Sequence, residues 1–161
     1  MAITNEAYVI LVAAAPIVEL RAAIPFGLYL FGKEEIIKVF LLSIFGNFLP
    51  VIPILLLLSP VSEKLRKFFI WRKFFDWFFE RTRKKASLIQ KYEALGLALF
   101  VAIPLPATGI WTGAVAATLF KIKFRFAVPA ITAGMILAGI IVSLVCLGVI
   151  NAPIFISNLI K

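Results

Sequence analysis

The sequence predicts an all-α integral membrane protein with two inverted repeats, each a proline-broken re-entrant helical hairpin followed by a transmembrane helix. Composition is the first reason, because 63% of the 161 residues are hydrophobic, against roughly 45–50% in soluble domains. The second reason is the presence of four long apolar stretches, and the third is that prolines and glycines interrupt two of them. A chain of this length is expected to form a single domain, 1–161.

The four apolar stretches are long enough to cross a bilayer, since a membrane-spanning helix needs about 20 residues. They cover residues 7–31, 36–58, 94–120 and 126–150. Between the second and third lies segment 61–93, which holds ten Lys or Arg against four Asp or Glu. Its aromatic residues recur at helical spacing, which is typical of an amphipathic helix lying in the headgroup layer. An ordinary connecting helix packed on the domain is the alternative.

The positive charges predict the topology. Loops rich in Lys and Arg stay on the cytoplasmic side, so segment 61–93 and the basic loop 121–125 are both expected there. They share one side only if stretch 94–120 enters and leaves the membrane on the same face. The net charge is +9, and the positive residues flank the apolar spans. This distribution indicates that they face a membrane surface and do not bind a nucleic acid.

The third stretch contains the interruption AIPLPATGIWTG, which begins at Ala102. The residues before Pro104 and Pro106 are pushed away from helical geometry, Gly109 permits a sharp turn, and Thr108 is expected to cap the next helix. Each remaining arm is about 15 Å long, half the hydrocarbon thickness. A kinked spanning helix is the alternative.

The first stretch has a similar interruption, PIVELRAAIPFG, where Pro16, Pro25 and Gly27 are the predicted breaks. Residues at i and i+2 of a helix do not face one another. Glu19 and Arg21 can therefore pair directly only if the backbone beside them is irregular. The order of hairpin, loop and span then recurs in two repeats, residues 7–58 and 94–150, a pattern that predicts a transport site at the bilayer midplane.

Glu19 and Arg21 are the only charged residues between Glu6 and Lys33. A charge at the membrane centre costs at least about 2.5–3.5 kcal/mol, so the pair is either a structural ion pair or a site that handles substrate or protons. Arg21 offers a fork that suits carboxylate or phosphate, and Glu19 is the candidate proton carrier. Four further residues are candidates for lining the same cavity: Asn47, Thr108, Trp111 and Thr112. For Trp111, a place in an interfacial aromatic belt is equally open.

No metal site, cofactor or enzymatic activity is expected. The chain has no His, its acidic residues are scattered, and its single cysteine, Cys146, lies in an apolar run. Neither a Gly-rich phosphate loop nor a pair of catalytic carboxylates is recognisable.

The motifs ELRAAIP and PLPATGIWTGA resemble those of the small multidrug export protein family. There, E-L-R-[GA]-A-I-P and P-L-P-[GA]-T-G-x-W-T-G occur in this order, separated by a basic stretch. The resemblance covers roughly residues 18–142, with Ala22 and Ala107 where glycine is more usual. The layout of two opposed hairpins is also similar to that of the DedA superfamily, whose members are implicated in transbilayer movement of lipid-linked phosphates.

Together these features favour a multi-pass cell-membrane transporter that moves an amphiphile, coupled to protons through Glu19. A lipid-phosphate-like anion is the favoured substrate, which would make the protein a lipid flippase. Membrane lipids and this substrate are the expected partners, and homo-oligomerisation is left open. The alternatives are a cationic drug/proton antiporter, with Glu19 as the counter-charge, and a non-transporting membrane scaffold that acts through the basic segment.

Overall fold

The computed structural model describes residues 4–65, 80, 87–104 and 108–159, and within them all regular structure is helical, as the predicted all-α class requires. Most of the predicted amphipathic segment (66–79 and 81–86) and Pro106 lie outside the described residues. The helices, numbered here along the chain, are α1 (Asn5–Ala14), α2 (Glu19–Phe31), a 3₁₀ turn (Lys33–Glu35), α3 (Ile36–Phe48), α4 (Val51–Leu65), α5 (Ser87–Ala102), α6 (Ile110–Leu119) and α7 (Phe124–Leu159).

Two stretches of the described chain are long and apolar enough to cross a membrane, Lys33–Leu58 and Phe124–Gly148. They correspond to the predicted spans at 36–58 and 126–150. The first of these stretches is interrupted, because α3 ends at Phe48 and a turn at Leu49 and Pro50 precedes α4. A residue before proline is disfavoured in helical geometry, which explains where α3 stops.

By its internal contacts the chain divides into two compact units. The N-terminal unit comprises residues 1–47 and 137–161, and the central unit comprises residues 48–136. The part of α7 from Leu137 onward belongs to the N-terminal unit. A Cβ atom at Gly139 would lie 2.8 Å from Cε2 of Phe40 on α3.

In the N-terminal unit, α1 and α2 fold back on each other across residues 15–18. Val9, Ala13 and Ala23 form their fully buried core. Helix α3 packs closely on both, since a Cβ at Gly27 of α2 would lie 2.5 Å from Val39 Cγ1, and one at Gly46 would collide with the backbone oxygen of Ile10. Glycine is needed at these two positions because the helices approach so closely.

In the central unit, α5 and α6 also fold back on each other, about the break between Ala102 and Ile110. A Cβ at Gly113 would lie 2.6 Å from Val101 Cγ2 and 3.9 Å from Leu97 Cδ1. In one straight helix, residues 97 and 113 would be about 24 Å apart. The chain is therefore broken and folded here, while the prediction that both ends reach the same membrane face stays a prediction.

The structure corrects two of the predicted breaks. Pro25 and Gly27 lie inside α2, and the chain breaks earlier, at residues 15–18, which include Pro16. Pro25 removes one backbone hydrogen bond of the helix, a loss that packed neighbours in membrane helices tolerate. Gly27 provides space for Val39 and forms no turn.

Candidate functional site

The Glu19–Arg21 ion pair lies at the break between α1 and α2. Glu19 Oε2 is 3.7 Å from Arg21 Nη1, and Glu19 is only 4% exposed. The backbone of Glu19 is left-handed, with φ of 52°, a conformation that costs a non-glycine residue about 1–3 kcal/mol. The direct pairing of residues i and i+2 thus occurs together with irregular backbone at one of the two residues.

Local chemistry places Glu19 at this position. Pro16 follows the end of α1 and cannot continue its hydrogen bonding, and the chain turns through residues 15–18 before α2 begins. Glu19 is the first residue of α2, where the positive end of the helix dipole favours a negative charge. The Arg21 side chain keeps 21% of its surface exposed, although its Nε atom is buried.

Charged residues mark the opposite end of the N-terminal unit. Lys38 Nζ donates a 2.9 Å hydrogen bond to Glu6 Oε1, and the ammonium lies 4.3 Å from the centre of the Phe31 ring. The hydrogen bond from Lys38 is the main reason why the pKa of Glu6 lies below its ordinary value. Lys33, Glu34 and Glu35 are exposed at the same end.

The lengths of the two helices set the distance between the charged end and the ion pair. Helix α1 has 10 residues and α2 has 13, which correspond to about 15 and 20 Å at 1.5 Å per residue. The hydrocarbon core of a bilayer is about 30 Å thick. The ion pair is therefore separated from the charged end by about half to two thirds of that thickness.

Two polar side chains of α3, Ser43 and Asn47, are fully buried in the N-terminal unit. Among the described residues, Ser43 Oγ and both amide atoms of Asn47 have no hydrogen-bond partner. Buried polar atoms normally have one, so these three atoms are suited to a water molecule or a polar ligand. Asn47 was predicted as a site residue, whereas Ser43 was missed although it lies one helical turn before Asn47.

Helix contacts place Asn47 near the break between α1 and α2. The short connection around the 3₁₀ turn makes α2 and α3 antiparallel neighbours, and Gly27 lies against Val39. Asn47 itself follows Gly46, where a Cβ atom would lie 2.9 Å from Cβ of Ala13. Ala13 is two residues before the break at residues 15–18, so Asn47 lies near the α1 end that leads into the break.

The remaining predicted site residues lie in the central unit, where hydrogen bonds give two of them structural roles. Thr108 Oγ1 donates to the carbonyl oxygen of Ile103 at 2.7 Å and so bridges the break. Thr112 Oγ1 accepts from the amide of Gly109 at 3.0 Å. The expectation that Thr108 caps α6 is thus corrected, because the cap is Gly109, supported by Thr112.

Trp111 is half-buried, and its indole Nε1 has no hydrogen-bond partner among the described residues. Nor do these residues include a group of three or more His, Cys, Asp or Glu that could hold a metal ion.

One known family model matches most of the chain. The family model described as "Putative small multi-drug export protein" matches residues 19–141, which is more than half of the chain. The chain belongs to this family. Neither the curated proteins nor the solved structures yield a match. Family membership and the two apolar candidate spans together indicate a membrane protein.

The family match begins at Glu19 and includes Arg21, Ser43 and Asn47. The N-terminal unit of this small multidrug export family protein thus holds a guanidinium, a buried carboxylate and unpartnered polar atoms. This combination can bind an anionic group at Arg21, or a cationic group at Glu19. In either case the two side chains compete, because each neutralises the other.

Proposed function

We propose that this export-family protein is a proton-coupled transporter that moves an amphiphile with an anionic head across the bilayer. The observation that carries the proposal is the buried Glu19–Arg21 pair, held on a left-handed backbone at the break between two short helices. An ion pair deep in a membrane protein is costly to desolvate, and such groups commonly mark substrate or proton pathways.

Arg21 is the proposed substrate ligand. Its guanidinium stays charged and presents parallel N–H donors that fit a carboxylate or phosphate. At rest, the carboxylate of Glu19 occupies one side of this fork at 3.7 Å. An incoming anion therefore has to compete with the Glu19 carboxylate for the Arg21 guanidinium.

Glu19 is the proposed proton carrier. When Glu19 is protonated, Arg21 loses its internal counter-charge and attracts an external anion more strongly. When the proton leaves, the Glu19 carboxylate pairs with Arg21 again and the anion is released. Binding of one proton and one monoanion leaves the net charge of the site unchanged, so the two are expected to travel together. Asn47 and Ser43 supply polar atoms for the remaining oxygens of the head or for water.

The test is translocation of a fluorescent lipid phosphate in proteoliposomes with an imposed pH gradient. Because Glu19→Gln fixes the neutral form, we expect this variant to bind substrate but to lose the response to the gradient. Arg21→Ala should reduce translocation of the anion at least about tenfold, the loss expected for one charge-assisted contact. Glu6→Gln is the matched control, since Glu6 lies in the same unit but pairs with Lys38 at the charged end. Full gradient-driven transport by Glu19→Gln would contradict the proposal.

The family description names multi-drug export, and a second candidate is therefore a drug exporter, which we take to exchange a cationic drug for protons. In that case Glu19 is the substrate's counter-charge and Arg21 is its competitor. Arg21→Ala distinguishes the two candidates, because an anion carrier loses activity while a cation carrier keeps or gains it.

A further inference from the structure

One end of the central unit contains a cleft of about 550 Å³. Its walls include Glu93 and Ala94 of α5, Phe120 and Lys121 at the end of α6, Lys123, and Phe126 of α7. The volume falls within the range of roughly 300–1,000 Å³ that is typical of small-ligand pockets. The walls combine charged and aromatic side chains, which suits a ligand with a polar head and an apolar tail.

The charge of this cleft is positive. Lys121 and Lys123 are exposed, and within the described parts of the chain neither lysine forms an ion pair with a carboxylate. Glu93 is the single acid among the lining residues. Arg125 lies beside the cleft, with its guanidinium 4.7 Å from the centre of the Phe126 ring, and it extends the positive rim.

The position of Lys121 is unusual for lysine. The amide of Ile122 donates to Ala117 O at 2.9 Å and the amide of Lys121 donates to Thr118 O at 3.2 Å. This pattern is a Schellman motif, in which the left-handed residue is usually glycine. Lys121 occupies that position with φ of 54°. The strained backbone therefore holds a cationic side chain where glycine would be more stable.

Glu93 also has a positive φ, 46°, but with ψ of −115°, and it lies at a kink inside α5. Only three described non-glycine residues have a positive φ: Glu19, Glu93 and Lys121. Two of them line this one cleft. Strained residues concentrate at ligand-binding sites, where the surrounding structure enforces the geometry.

We propose that this cleft binds the phosphate headgroup of an anionic lipid, with Lys121 and Lys123 as its ligands. Phe120 and Phe126 would contact the glycerol and the first part of the acyl chains. An amphiphile is favoured over a soluble phosphate because only an amphiphile uses the aromatic walls. Glu93 opposes the anion and so limits the affinity. This binding is independent of the proposed transport, because neither Glu19 nor Arg21 takes part.

The experiment measures the binding of fluorescent phosphatidate to the full chain in neutral detergent micelles. The double variant Lys121→Gln, Lys123→Gln should bind it roughly tenfold or more weakly, as expected for loss of charge-assisted contacts. Glu93→Gln should bind it several-fold more tightly, because the opposing charge is removed. Lys33→Gln, which removes an exposed lysine from the N-terminal unit, is the matched control and should bind like the wild type.

Two further measurements separate loss of binding from loss of fold, and a lipid site from a site for soluble phosphate. Lys121→Gly suits the left-handed backbone, so it should raise the unfolding temperature while it weakens binding, which separates loss of binding from loss of fold. Unlabelled phosphatidate should displace the probe, whereas glycerol phosphate and phosphatidylcholine should not. Equal displacement by glycerol phosphate would show a site for soluble phosphate, and wild-type affinity in the double variant would show that the lysines are not ligands. Either result overturns the proposal.

Discussion

At the residue scale, the three non-glycine residues with positive φ in the described part of the chain all carry charged side chains. Glu19, Glu93 and Lys121 all have positive φ values, although asparagine and glycine adopt this conformation at lower cost. The Glu19 carboxylate is thereby brought to Arg21, only two residues away. Helical geometry at Glu19 would point the two side chains in different directions.

Ser43 and Ser143 provide a matched test of the polar atoms in the N-terminal unit. Both hydroxyls are buried and lack a hydrogen-bond partner among the described residues. Because an unpartnered buried group costs about 1–3 kcal/mol, Ser43→Ala and Ser143→Ala should each raise the free energy of unfolding by about 1 kcal/mol. The measurement is unfolding in detergent, with transport assayed in parallel.

The two serines should differ in their effect on transport. Ser43 lies one turn from Asn47, whereas Ser143 lies near Ile36 and Ile37, toward the charged end of the unit. Ser43→Ala should therefore slow transport and Ser143→Ala should not. Equal effects on transport would mean that Ser43 has no special place in the site, and a destabilised Ser43→Ala would mean that its hydroxyl already has a partner.

At the element scale, short helices packed through glycine build the N-terminal unit. Gly27 and Gly46 lie on the faces where α3 meets α2 and α1. Small residues at such positions let membrane helices pack closely without the hydrophobic effect that drives association in water. The Gly46 contact also holds Asn47 near Ala13, close to the end of α1.

Gly46→Ala and Gly148→Ala should have opposite effects on stability. A Cβ at position 46 would collide with the backbone of Ile10, while one at position 148 would meet nothing within 4 Å. We expect Gly46→Ala to lower the free energy of unfolding by about 1–3 kcal/mol, the usual cost of overpacking. Gly148→Ala should raise it by up to about 1 kcal/mol, because alanine is the better helix former. Similar values for both variants would contradict the close contact between α1 and α3.

At the scale of the whole molecule, one order of elements occurs twice along the chain. A short helix, a break and a second short helix precede the candidate span Lys33–Leu58, and the same order precedes Phe124–Gly148. The opposite orientation of the two copies is a prediction that rests on the distribution of positive charge.

Single-cysteine labelling in a Cys146→Ser background tests that topology. Lys33 and Lys123 are both exposed, so a cysteine at either position should be accessible to a maleimide reagent. A membrane-impermeant reagent added to intact cells should label Lys33→Cys, and it should label Lys123→Cys only after the membrane is opened. Labelling of Lys123→Cys in intact cells would contradict the re-entrant hairpin.

The sequence by itself determined the helical membrane class, the candidate spans, the breaks near Pro16 and after Ala102, and the need for irregular backbone beside Glu19 and Arg21. These features depend on apolar length and on the backbone chemistry of proline, which act over a few neighbouring residues. Only the tertiary structure decided that Pro25 and Gly27 belong to a helix, that Ser43 is buried, and that Lys121 and Glu93 line one cleft. Those outcomes depend on which helices pack together, because contacts between residues distant in sequence set burial, close approach and register.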